Sequence, residues 1–165
     1  ILDMVRLESG GFSPKREWVP LEESVGAAFS RLETKLGPRE VTIDLPQTLP
    51  LLHVDPVLFE QVFVNLFDDV IKHAGPESPI QVTAHVHDAT LEIEVADRGP
   101  GLPAGAESLV FEKFYRGGSE ETRSAKGTGL GLYIVQRLVT RLGGVITVRT
   151  GTDKGATFAA SFPKR

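Results

Sequence analysis

The chain has 165 residues, 41% hydrophobic and 24% charged, with a formal net charge of −4. It contains no Cys, which excludes a disulfide framework, a thiolate metal site and a Cys nucleophile. The acidic balance argues against a nucleic-acid surface, and no apolar run approaches the roughly 20 residues of a membrane span.

Residues 1–9 place apolar side chains at Ile1, Leu2, Met4, Val5 and Leu7, and Gly10-Gly11 ends that helical pattern. A short strand is expected over 15–19. Pro20 then opens a helix whose first turn holds Glu22 and Glu23, where the dipole favours anions. Its apolar residues recur at helical spacing from Leu21 to Leu36. Residues 41–45 alternate as a strand, and His53-Val54 is a strand stub. Asp55-Pro56 reads as an N-cap followed by Pro at N1, opening a helix to about His73 that Gly75-Pro76 stops.

Residues 80–87 and 91–96 alternate as two strands of a hairpin turning at Asp88-Ala89-Thr90. A Gly/Pro-rich loop spans 97–105, and an aromatic turn spans 111–115. Residues 116–126 are polar with few apolar anchors. An amphipathic helix covers 130–142, stopped by Gly143-Gly144, and strands over 145–150 and 157–162 form a final antiparallel pair. Helices and strands come in mixed order, which predicts an α+β two-layer sandwich: a mixed β-sheet with helices on one face.

Four clusters carry chemistry. On the helix after Pro56, Gln61, Asn65, Asp69 and Lys72 share one stripe, opposite Phe59, Phe63, Leu66, Phe67, Val70 and Ile71. A solvated face is the plain reading of that stripe. The functional reading is Asn and Asp oxygens for Mg²⁺ and a Lys for phosphate. Asp97-Arg98-Gly99-Pro100-Gly101 follows a strand; it is either a tight turn or a carboxylate at a strand end with glycines admitting a flat ring.

Gly127-Thr128-Gly129-Leu130-Gly131 leads into a helix, where backbone N–H groups favour phosphate oxygens. No Lys-Ser/Thr follows it, so it is not a P-loop, and its spacing is not that of a dinucleotide fingerprint. Phe111-Glu112-Lys113-Phe114-Tyr115-Arg116 either anchors a loop on the core or sets Arg116 at the base of a lid, within reach of a phosphate.

Taken in order, these clusters resemble the N, G1, F and G2 boxes of sensor histidine kinase ATP-binding domains, within the GHKL group that includes gyrase, Hsp90 and MutL. Leu52-His53-Val54-Asp55, Gly99-Pro100-Gly101-Leu102-Pro103 and Phe114-Tyr115-Arg116-Gly117 are most similar to potassium-responsive kinases of the KdpD type. The resemblance implies a Bergerat-type catalytic ATP-binding domain over 12–165, with residues 1–11 ending a preceding dimerisation helix.

It further implies Asp97 as acceptor for the adenine amino group, Gly99 and Gly101 beside the base, and Thr157 near an adenine-bound water. His73 would flank base or ribose. Lys72 and Arg116 would contact phosphates, with Phe114, Gly127, Thr128, Gly129, Leu130 and Gly131 completing the nucleotide site and 117–126 forming a lid. Mg²⁺ would lie at Asn65 and position 69, where the family's Asn is replaced by Asp69. Asn65 stands where ATP-hydrolysing relatives carry a Glu, so transfer to a protein acceptor is favoured over hydrolysis.

His53, His73, His85 and His87 lack the phosphoacceptor motif. The implied partners are therefore a dimerisation domain bearing that His and a response regulator, with no nucleic acid and no membrane contact by this segment. The implied location is the cytoplasmic side of a bacterial inner-membrane sensor. Two other readings remain at this stage: a docking module whose metal site Asp69 has disabled, and an anti-sigma-factor serine kinase of the same fold.

Overall fold

The computed structural model describes residues 15–113, 131–150 and 155–164. The expected leading helix over 1–9 and the segment 114–130 lie outside the described residues. The order is β1 (Glu17–Val19), α1 (Leu21–Arg31), α2 (Glu33–Leu36), β2 (Val41–Asp44), β3 (Leu52–Val54), α3 (Pro56–Ala74), β4 (Ile80–Val86), β5 (Thr90–Asp97), α4 (Gly131–Arg141), β6 (Val145–Thr150) and β7 (Ala156–Pro163).

Five strands form one mixed sheet, β2-β4-β5-β7-β6, in which only β2 and β4 run parallel. β1 and β3 pair separately. Strand alternation decides which face is covered. Val82, Val95, Phe158 and Val148 lie in one cross-strand row, and Ala84, Ile93, Ala160 and Ile146 in the next; all are buried. The intervening rows carry Glu94, which pairs with His85 and Arg149 on the open face, and Glu92, which pairs with His87.

The helices close the other face. α3 supplies Phe59, Phe63 and Phe67, all with no exposure. Phe29 of α1 stacks on Phe67 at 4.1 Å between centroids, and Phe59 meets Phe162 of β7 edge-on at 5.2 Å. Each such buried ring contributes about 2–3 kcal/mol from apolar burial. The start of α3 is as its residues predict: Oδ1 of Asp55 accepts from the amides of Val57 (2.9 Å) and Leu58 (3.1 Å), ahead of Pro56.

One local reading is corrected. The helix expected to run to Leu36 breaks at Leu32, whose amide turns back to the Phe29 carbonyl (3.1 Å) and ends the α-helical ladder. The apolar spacing continues into α2, so periodicity could not reveal the break. A 3₁₀ turn over Ala106–Ser108, not anticipated, buries Ala106 and leads to Phe111, which packs edge-on against Phe158.

Candidate functional site

Asp97 ends β5 in the same row as Ile80, so its side chain leaves the sheet on the helix-covered face. Its Oδ1 accepts from the amides of Gly99 (2.8 Å) and Ala156 (3.2 Å). Among the described residues no group is bonded to Oδ2. One carboxylate oxygen is thus fixed by the backbone.

The loop after Asp97 rests on the end of α3. A Cβ at Gly99 would lie 2.6 Å from the Ala74 Cα, so only Gly permits this approach. Gly99 therefore serves loop-to-helix packing. Gly101 has φ of 76°, a conformation that L side chains rarely adopt. The amide of Arg98 donates to Ser78 Oγ (2.9 Å), pinning the loop from the other side.

The polar stripe of α3 lies beside this loop. Gln61 Nε2 donates to Asn65 Oδ1 at 2.9 Å. One turn on, Asp69 is half-buried between α3 and the beginning of the described part of α4: a Cβ at Gly131 would sit 3.2 Å from Asp69 Oδ1. Asp69 Oδ2 lies 3.3 Å from His73 Nδ1, which also donates to the Asp69 carbonyl (2.8 Å). Asn65 and Asp69 offer amide and carboxylate oxygens on one face, a donor set suited to a hard cation such as Mg²⁺.

Gly99 thus seats the Asp97 loop on the end of α3, while Asp69, paired with His73, meets the described part of α4 at Gly131. Two expected members stand apart. Lys72 Nζ is bonded to Asp68 (3.1 Å), which also holds Lys35 of α2 (3.0 Å). Thr157 is registered with Ala96 and Arg149, so it faces the open side of the sheet, away from Asp97. The residue that meets Asp97 is its neighbour Ala156, through its backbone amide. Phe114, Arg116, Gly127, Thr128, Gly129, Leu130 and the expected lid over 117–126 lie outside the described residues.

Sequence reasoning missed Gly155 and Asp68. A Cβ at Gly155 would overlap the Asp97 carbonyl oxygen, so this Gly lets β7 enter close enough for Ala156 to reach the carboxylate. Its signal was a Gly immediately before a strand. Burial pushes the Asp68 carboxyl up, but hydrogen bonds and charge from Lys35 and Lys72 outweigh it and hold the group below the usual carboxylate range. No helix among the described residues is long and apolar enough to cross a membrane.

A profile of the family "Histidine kinase-, DNA gyrase B-, and HSP90-like ATPase" matches residues 54–165. The chain is 43% identical over 165 residues to the sensor protein KdpD of Escherichia coli (strain K12), covering 100% of the chain and 18% of that protein. Among solved structures, the mycobacterial sensor histidine kinase MprB superposes with a TM-score of 0.78 at 25% identity, over 90% of this chain and 97% of that one. Full-length ShkA in complex with AMPPNP gives 0.82 at 25% identity, over 96% of this chain and 33% of that one.

Proposed function

The chain belongs to the family of histidine kinase-, DNA gyrase B- and HSP90-like ATPases, and from that premise we propose that it is the ATP-binding catalytic domain of a two-component sensor kinase. The proposed reaction carries the γ-phosphoryl group of ATP to a His on a dimerisation domain, from which a response regulator is served. The proposed setting is the cytoplasmic portion of a bacterial membrane sensor, with residues 12–165 as the catalytic unit.

The observation that carries the reading is Asp97. Two backbone amides saturate Oδ1, so Oδ2 accepts from a ligand. An exocyclic amine such as that of adenine satisfies it, whereas the carbonyl of guanine would set two acceptors against each other. His73 at the end of α3 lies beside the base and ribose in this reading. Asn65 and Asp69 would hold Mg²⁺, which when bound neutralises phosphate charge. Lys72, Arg116 and the backbone from Gly127 to Gly131 would bind the phosphates.

Asn65 has no basic group with which to activate water, so catalysis rests on holding the phosphates in line for a protein acceptor. None of the four His residues carries the acceptor motif. The chain alone should therefore form no phosphohistidine, while a separately supplied dimerisation domain should be labelled slowly, for want of the tether that raises effective concentration. Acid-labile phosphate on His53, His73, His85 or His87 would contradict this reading. So would calorimetric titration with Mg-AMPPNP that shows no binding.

A further inference from the structure

Lys72 is the expected phosphate contact, yet in the structure its ammonium is engaged elsewhere. Its Nζ lies 3.1 Å from Asp68 Oδ2, and the other oxygen of Asp68 is held by Lys35 Nζ at 3.0 Å. At about 100° per residue, Lys72 projects roughly 40° from Asp68 and roughly 20° from Asn65 around α3. One flexible side chain can therefore serve either flank, but not both at once.

We infer that Asp68 and Lys35 are positioning residues that set how readily Lys72 is released to a nucleotide phosphate. The inference rests on the proposed reading of Lys72 as a phosphate contact. Asp68 is a resting partner: it holds the ammonium while no phosphate is present and competes with the phosphate when one arrives. Lys35 sets the strength of that competition. When Lys72 departs, Lys35 keeps the half-buried Asp68 carboxylate paired, so departure orphans no charge. Without Lys35, Asp68 has a single cation left and retains it more firmly.

The two residues therefore act with opposite signs on the same event. Asp68→Asn removes the competitor and raises affinity for the triphosphate. Lys35→Met strengthens the competitor's hold and lowers it. The pairs are partly exposed, so each effect should be about two- to fivefold in affinity. Adenosine has no phosphate, and its binding should respond to neither change.

The test is titration of the 165-residue chain and its variants with Mg-AMPPNP by calorimetry, and with adenosine by chemical-shift mapping. The expected result is tighter AMPPNP binding for Asp68→Asn, weaker binding for Lys35→Met, recovery with Lys35→Arg, and unchanged adenosine binding throughout. In a Lys72→Met background both effects should vanish. A purely structural cross-link between α2 and α3 would move AMPPNP and adenosine together, or shift both variants in one direction; either outcome overturns the inference. Unchanged AMPPNP affinity in both variants overturns it as well. Absence of AMPPNP binding by the unaltered chain instead overturns the nucleotide reading, and the inference with it.

Discussion

Gly155 lies so close to Asp97 that a side chain there would occupy the position of the Asp97 carbonyl oxygen. The start of β7 is thereby pressed against the end of β5, and the Ala156 amide reaches the Asp97 carboxylate. Gly155→Ala must push the two strands apart. We expect a stability loss on the order of 1–3 kcal/mol from overpacking, with a larger proportional loss of nucleotide affinity because Asp97 is displaced. Thermal unfolding and AMPPNP titration of the variant measure both. Wild-type affinity in a folded variant would show that Asp97 does not depend on this contact.

Asp97→Asn separates the structural and recognition roles of one side chain. An amide oxygen at Oδ1 still accepts from Gly99 and Ala156, so the fold should change by less than about 1 kcal/mol. The amide nitrogen that replaces Oδ2 meets the adenine amine donor to donor. ATP affinity should fall by about 1–3 kcal/mol, roughly five- to 150-fold, and preference over GTP should shrink. Competition between ATP and GTP for the unaltered chain and the variant is the measurement. Equal affinity of the unaltered chain for the two nucleotides would refute the assignment.

Asp69 sets a carboxylate beside Gly131, where the described part of α4 begins and where phosphate oxygens are expected. It can ligate a cation, yet it repels phosphates that carry none. Asp69→Asn should raise nucleotide affinity, with the gain largest when Mg²⁺ is chelated. At an effective dielectric near 20, the metal-free gain is on the order of 1–2 kcal/mol, or about five- to thirtyfold. Titration of both proteins with and without chelator checks it. No difference at any Mg²⁺ concentration would mean that the side chain does not face the phosphates.

The acid limb of stability should carry a contribution from Asp68. Its carboxyl is held below the usual range in the folded chain, the opposing effect of burial being outweighed by Lys35 and Lys72. For a depressed pKa, the contribution is full above the unfolded value, about 3.9, and is lost as pH falls through the folded value. Asp68→Asn should therefore lower stability near neutral pH and flatten its fall between about pH 5 and about pH 2. Urea midpoints across that range report it. Parallel acid limbs for the two proteins would argue that the ion pairs are screened away.

Much of this architecture was legible in the chain itself. The period-two alternation between Ile80 and Val95 marked β4 and β5 as strands, because burial acts on every second residue. Asp55-Pro56 announced the start of α3 because capping is a local interaction. What escaped was non-local or depended on parity. Gly155 and Asp97 are adjacent only once β5 and β7 pair, and Lys35 and Asp68 only once α2 packs on α3. Thr157 shows the cost of a single step along a strand. Its chemistry suited the expected role, but a shift of one residue changes the face, and position 156 is the one that meets Asp97.

Asp55 does more than begin a helix. While Oδ1 caps α3, Oδ2 accepts from the backbone amide of Lys15 at 2.8 Å, and the residue is buried. The chain leading into β1 is thus clamped to the first turn of a 19-residue helix about 28 Å long, whose far half bears Asn65 and Asp69. Asp55 is in this sense a shared anchor: loss of its carboxylate frees the entry to β1 and the root of α3 together.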